Sequence, residues 1–395
     1  MIKKIAAEEL RPGMYVVDTG LSWMDYPFLY AEEGEIASAE QVERIATEYT
    51  EAFVDTERGA AALREGGDDG FAEAASEGRE RRGERVPIAQ EVEHVRAFYA
   101  DSVTFAREFM TEVSTGGKVD YERSGVFVEE VIDSVTRNRD ALVSMTKLRS
   151  SDEYTYTHCI NVSVLATAFG DEMGLPHEDL VDLGLAGLMH DLGKALIPPM
   201  VLNKPGKLTD AEFDLIRKHP QRSITVLGRL DAVPRRVLRG VLEHHEKFNG
   251  GGYPAGLVGD DIHLFARYIS LADVYDALTS ARAYKPGMPP HKALRILYSM
   301  RGQDFHPGYA ERFIKFIGIY PVGSLVQLED GRYAVVSGSN PQEPLRPRVT
   351  LALGPDGRPI HPRPVDLAQP EGDGVAIASC MDAAAFGLRA EDYLL

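Results

Sequence analysis

Residues 177–194 read HEDLVDLGLAGLMHDLGK, and this stretch decides how the 395-residue chain folds. Leu180, Leu183, Gly184 and Gly187 recur on one helical face and run into His190-Asp191. The spacing predicts a helix that starts after Pro176 and is ended by Gly193-Lys194 and then Pro198-Pro199. Gly184 and Gly187 leave room for a neighbouring helix to come close. His190 and Asp191 prolong the apolar stripe, and a buried carboxylate without a partner is costly. A bound metal ion resolves that cost better than a chance hydrogen bond.

The flanking segments add ligand types in the same setting. His158 shares a helical face with Val162, Leu165, Ala166 and Phe169. Taken singly it reads as a satisfied core histidine; its weight comes from its company. Thr209 and Glu212 form a capping box for a helix expected to end at His219-Pro220. A further helix runs from Pro234 through Val237, Leu238, Val241 and Leu242 to His244-His245. The next carries Ala266, Ile269, Asp273 and Asp276 on one face. Two inward carboxylates on one apolar stripe suggest a functional site, although Asp276 alone is equally explained by a buried hydrogen-bonding network. Seven metal-capable residues result: His158, His190, Asp191, His219, His244, His245 and Asp273.

Imidazole and carboxylate suit Fe, Mn, Zn or Ni, and the lack of Cys ligands disfavours structural zinc. Seven ligands exceed the needs of one ion. A shared carboxylate can bridge two ions about 3.5–4 Å apart, and such a pair of ions lowers the pKa of a bridging water and clamps phosphate oxygens. Lys194, Arg282 and Lys285 stand beside the ligand helices and suit phosphate charge.

The remaining sequence supplies context. Length suggests two or three domains, and 44% hydrophobic with 26% charged residues is ordinary for a globular protein. The fold expected is mainly α, with a small mixed α/β module before the helices and a small β-rich module after them. Residues 1–58 hold strands at Met14–Val17 and Glu51–Asp55 and a helix over Ser38–Tyr49. Residues 59–87, rich in Gly, Glu, Asp and Arg, read as a flexible linker, and 88–124 as a connecting helical segment. The ligand-bearing helices occupy 125–320. Within 321–395, Asp330-Gly331 marks a hairpin between Ser324–Leu328 and Arg332–Val336; Arg348–Leu353, a turn at Asp356-Gly357 and an acidic tail follow. The net charge of −18 argues against binding a nucleic-acid backbone. No apolar run has the length of a membrane span, Met1-Ile2-Lys3-Lys4 does not open a signal peptide, and Cys159 and Cys380 form no framework. A cytoplasmic protein is expected.

His190-Asp191-Leu192-Gly193-Lys194, then His244-His245-Glu246, Asn249-Gly250-Gly251-Gly252-Tyr253-Pro254 and Asp273-Val274-Tyr275-Asp276-Ala277-Leu278-Thr279, resemble the HD-GYP family of HD-domain metal-dependent phosphohydrolases. The resemblance implies a helical HD domain that hydrolyses the bacterial second messenger cyclic di-GMP to pGpG or GMP. It implies divalent ions, commonly Fe or Mn. His158, His190, Asp191 and Asp273 would hold one ion, Asp191 would bridge, and His219, His244 and His245 would hold the other. His190, Asp191 and Lys194 are thereby the catalytic candidates. Lys194, Tyr253, Asp276, Arg282 and Lys285 are the candidates for substrate contact. The Gly251–Pro254 loop resembles the family's proposed contact for diguanylate cyclase (GGDEF) partners, and a homodimer is possible. The N-terminal part resembles a domain of unknown function often found ahead of HD-GYP domains. Trinuclear members carry a Glu one turn before the first His; Tyr154 stands there, so two ions are expected. Asn249 and Ser223 replace the usual Asp and Gly without removing a ligand. Two other readings remain: a cyclic di-GMP receptor with little turnover, and a hydrolase of another cyclic dinucleotide.

Overall fold

The computed structural model describes residues 2–17, 29–30, 34–55, 86–117, 119–146, 154–202, 204, 206–230, 233–280, 287–340, 343, 345–369, 375–381, 386–388 and 390–394. The chain divides into two units, residues 1–79 and 80–395.

In the first unit, β1 (Ile2–Ala6), β2 (Tyr15–Val16), β3 (Leu29–Tyr30), β4 (Gly34–Glu35) and β5 (Glu51–Asp55) form one sheet ordered β1-β5-β2-β4, with β3 parallel to β5. Strand β5 buries Ala52 and Val54 in alternation, the two-residue period of a half-buried strand. Helix α1 (Ala39–Glu48) starts at Ser38, whose hydroxyl accepts from the Gln41 N–H at 3.1 Å. Its Ile45 joins Val16, Ile36, Tyr49, Ala52 and Val54 in a small core. Of the expected linker, only Val86 and Pro87 lie among the described residues.

The second unit is mainly helical. In order come α2 (Ile88–Ser114), α3 (Tyr121–Met145), α4 (Tyr154–Glu172), α5 (His177–Met189), a 3-10 turn (Leu192–Leu196), α6 (Pro199–Leu202), α7 (Asp210–Ile216), α8 (His219–Leu227), α9 (Arg235–Glu243), α10 (Leu264–Thr279), α11 (Pro290–Ser299) and α12 (Pro307–Ile317). Helix α5 is central: its apolar run, residues 183–189, is buried all round. It packs on α3, α4 and α9. A Cβ on Gly187 would lie 3.0 Å from Ser163 Cα of α4, so the glycine sets how closely α4 and α5 approach. Each fully buried Leu here, such as Leu183 and Leu188, stabilises by roughly 1.5–3 kcal/mol.

One helix boundary differs from expectation. The capping box at Thr209 and Glu212 is present, but its helix stops at Ile216. His219 opens α8 instead of closing α7, because Pro220 lacks the N–H that a first turn does not need.

The C-terminal strands β6 (Leu325–Leu328), β7 (Tyr333–Gly338), β8 (Arg348–Leu353), β9 (Pro359–Asp366) and β10 (Ile377–Met381) form an antiparallel sheet ordered β10-β6-β7-β8-β9. Gly331 takes φ of 87° at the β6–β7 turn. The tail read as a plain acidic extension supplies both edge strands, β9 and β10. Among the described residues no helix is long and apolar enough to cross a membrane.

Candidate metal centre

The seven residues singled out in the sequence converge. Helix α4 contributes His158 and α10 contributes Asp273 from their buried faces. The C-terminal end of α5 delivers His190 and Asp191, where the helix breaks into the 3-10 turn and both side chains reach one point. The first residue of α8 is His219, and the end of α9 presents His244-His245. Three overlapping sets have ligating atoms within 4.8 Å of one another: His219, His244 and His245; His158, His190 and Asp273; and His190, Asp191 and His244.

Backbone carbonyls fix the orientation of three rings. His190 Nδ1 lies 2.7 Å from Gly187 O, His219 Nδ1 2.8 Å from Ile216 O, and His244 Nδ1 2.7 Å from Val241 O. A carbonyl only accepts, so each Nδ1 carries the proton and each Nε2 a lone pair. Those lone pairs all face inward. His219 Nε2 and His244 Nε2 stand 3.3 Å apart, and His190 Nε2 is buried without a hydrogen-bond partner. Two acceptors at that distance repel unless a cation lies against both.

Asp191 is divided between the two sides. Its Oδ1 lies 3.1 Å from His219 Nε2 and 4.0 Å from His244 Nε2. Its Oδ2 lies 3.3 Å from His190 Nε2, 3.6 Å from His158 Nε2 and 2.5 Å from Lys194 Nζ. Asp191 is 2% exposed and its Oδ1 has no hydrogen-bond donor. Burial would push this carboxyl up, but its polar neighbours, His190 and the Lys194 ammonium foremost, outweigh it and hold it well below the usual range. Asp273 Oδ1 lies 3.1 Å from His158 Nε2; burial is again outweighed, by His158 first, and the group stays ionised. Burial pushes His244 well down, and pushes His245 down to about 3 although that residue is not fully buried. Neutral imidazoles and ionised carboxylates are the ligand forms divalent metals require. The donor set therefore fits a metal centre, with nitrogen sets on two sides of one carboxylate.

The candidates for substrate contact separate. Lys194 stands at the rim, its side chain 23% exposed. The Tyr253 ring packs on His245 with centroids 4.7 Å apart, and the Arg217 guanidinium lies over the Tyr253 ring, 4.9 Å from its centroid. Arg282 and Lys285 lie outside the described residues. Asp276 does not face the open side. It is 1% exposed behind His158, where Oδ2 accepts from His158 Nδ1 at 2.8 Å and Oδ1 accepts from Asn161 at 2.9 Å. The expected substrate contact at Asp276 is replaced by a contact that orients a ligand.

Other contributors were given no role in the sequence reading. Glu246 accepts from the N–H groups of Ala255, Gly256 and Leu257 at 2.6, 3.1 and 3.0 Å, and so anchors the loop that carries Tyr253. The Ser223 hydroxyl accepts from Gly193 N–H at 2.7 Å and donates to His190 O at 3.2 Å, tying α8 to the turn after Asp191. The buried position of Glu246 beside His244-His245 was a usable signal. Ser223 was noted only as replacing a usual Gly, and nothing local marks Arg217.

Residues 132–308 match the family model described as the HD domain, and residues 2–124 match a domain of unknown function (DUF3391). The chain is 35% identical over 372 residues to a cyclic di-GMP phosphodiesterase of Pseudomonas aeruginosa, covering 93% of this chain and 90% of that one. It is 37% identical over 144 residues to a 3′3′-cGAMP-specific phosphodiesterase of Vibrio cholerae, covering 36% of this chain and 31% of that one. Among solved structures, an HDG"Y"P protein from Bdellovibrio bacteriovorus aligns with a TM-score of 0.45 and 18% identity, over 79% of this chain and 98% of that one.

Proposed function

The chain belongs to the HD-GYP family of HD-domain phosphohydrolases, and from that premise we infer that it is a metal-dependent cyclic di-GMP phosphodiesterase. One observation carries the reading: the two oxygens of Asp191 face two separate groups of imidazole nitrogens whose protons are all directed outward. A carboxylate so placed is suited to bridge two divalent ions, and Fe or Mn is the proposed pair. His158, His190 and Asp273 would hold one, and His219, His244 and His245 the other. Bound there, the ions supply a water of lowered pKa and stabilise charge on the phosphate oxygens.

The chain's own groups do the positioning. Lys194 Nζ sits at the rim beside Asp191 Oδ2, where an arriving phosphate oxygen gains a charge-assisted hydrogen bond. Tyr253 closes the His245 side and offers an aromatic face to a guanine base. Hydrolysis adds the water oxygen to phosphorus and breaks the P–O3′ bond, and the departing oxygen takes a proton; linear pGpG results, and a second cleavage gives GMP. Arg282 and Lys285 complete the proposed phosphate contacts.

The Gly251–Pro254 loop is the proposed docking point for a diguanylate cyclase partner, supported by its exposed Gly251 and its rigid anchoring on Glu246. A homodimer and a bacterial cytoplasmic location belong to the same reading; a chain with only Cys159 and Cys380 suits a reducing compartment. The test is incubation of labelled cyclic di-GMP with anaerobically prepared Fe(II)- or Mn(II)-loaded protein. Accumulating pGpG or GMP supports the enzyme. Saturable binding without product favours a receptor, and faster turnover of 3′3′-cGAMP in a parallel arm moves the substrate.

A further inference from the structure

Helix α2 lies outside the segment that matches the HD domain and inside the segment that matches the domain of unknown function. One of its side chains nevertheless reaches the metal centre through an unbroken buried chain. The Tyr99 hydroxyl donates to Asn161 Oδ1 at 2.7 Å. Asn161 Nδ2 donates to Asp276 Oδ1 at 2.9 Å and to Thr146 O at 3.2 Å. Asp276 Oδ2 accepts from His158 Nδ1 at 2.8 Å and from the Ser280 hydroxyl at 2.9 Å. The four members Tyr99, Asn161, Asp276 and His158 are 8%, 0%, 1% and 4% exposed.

The direction of each bond is set. Asn161 uses its amide hydrogens on Asp276 and on the Thr146 carbonyl, so its oxygen must face Tyr99, which is the donor that satisfies it. A fixed Asn161 holds Asp276, and Asp276 selects the His158 tautomer with the proton on Nδ1 and the lone pair on Nε2. That lone pair points to Asp273 Oδ1 and Asp191 Oδ2. His158 differs here from His190, His219 and His244. They are tautomer-locked by carbonyls three residues earlier in the chain, whereas His158 depends on Asp276 of α10, which is held by Asn161 of α4 and through it by Tyr99 of α2.

We propose that Tyr99 is a positioning residue for the ion held by His158, His190 and Asp273, and that α2 is thereby an integral part of the metal centre. The inference rests on the two-ion reading of the site. Displacement of α2 removes the donor to Asn161 and leaves a buried amide oxygen unsatisfied, which loosens Asp276 and the His158 ring. A change in the seating of α2 then weakens one ion and spares the other.

The test is a Mn(II) titration of the metal-free full-length chain, with free Mn(II) followed by electron paramagnetic resonance. Wild type takes up two ions in two resolvable phases. Tyr99→Phe, which removes only a hydroxyl, weakens one phase about 10- to 100-fold and leaves the other unchanged. Asn161→Ser, which breaks the middle link, gives the same selective loss. Phe105→Leu changes a buried contact of α2 with Phe127 but leaves Tyr99 seated on Asn161, and retains both phases. Wild-type affinities in both Tyr99→Phe and Asn161→Ser overturn the proposal while sparing the two-ion reading. A wild-type protein that binds no second ion overturns both.

Discussion

His219 Nε2 lies 3.3 Å from His244 Nε2, and both rings use their Nδ1–H on a carbonyl three residues earlier in the chain. Neither nitrogen has a proton to share, so the pair is a cation seat formed by the start of α8 and the end of α9. His219→Ala removes one side of that seat. Elemental analysis of anaerobically purified protein is expected to show about two ions per wild-type chain and about one in the variant. Unchanged metal content in His219→Ala would place this ion elsewhere.

The close contact between α8 and the turn after Asp191 predicts a stability effect away from any ligand. A Cβ on Gly193 would lie 2.0 Å from His219 O and 2.8 Å from Ser223 N, both backbone atoms that cannot swing aside. Gly193→Ala is expected to cost about 1–3 kcal/mol by overpacking and to displace His219 from Asp191. Thermal unfolding of the metal-free variant should show a Tm lower by several degrees, with reduced metal uptake. A wild-type Tm and full uptake would contradict the packing argument.

Glu246 separates substrate binding from metal binding. Its carboxylate takes three backbone N–H groups from residues 255–257, and Glu246→Ala leaves them without their partner. The Tyr253 loop should loosen while the imidazoles stay in place. Steady-state kinetics are expected to show KM for cyclic di-GMP raised several-fold or more, with metal content at wild-type level. Loss of bound metal at unchanged KM would show that the loop supports the ligands instead.

The buried imidazoles give the metal-free protein a definite pH response. An exposed histidine titrates near 6.5, whereas burial holds His245 at about 3 and pushes His244 down as well. Between those values the unfolded chain binds more protons than the folded one, so stability falls as pH falls from about 6.5 towards 3. The loss should be on the order of a few kcal/mol across the window. Thermal scans of chelator-treated protein should show Tm declining through this range, with a shallower decline in His245→Phe. A flat Tm from pH 7 to 4 would contradict the assignment of buried neutral rings.

The ligand set was legible because its members sit where helical periodicity can be read. His158 and Asp273 share faces with aliphatic residues, and His190-Asp191 and His244-His245 end apolar stripes. His219 joins the cluster, but the sequence reading put it on the wrong side of a helix break, since Pro220 marks a helix start as readily as a stop. Strand β9 was missed because Pro359, Pro362 and Pro364 argue against a central strand; it lies at the sheet edge, where proline is tolerated. Asp276 and Asp273 share one helical face, and only the position of α4 tells which carboxylate faces the ions and which stands behind His158. Tyr99 carries no local signal at all: on the buried stripe of α2 it looks like any core aromatic, and its role exists only through Asn161.

The central claim is that Asp191 joins two metal ions. Anomalous diffraction at the manganese edge from crystals of the Mn(II)-loaded protein tests it most directly. The account predicts two peaks about 3.5–4 Å apart, one on each side of the Asp191 carboxylate. A single peak, or peaks that do not flank Asp191, would contradict it.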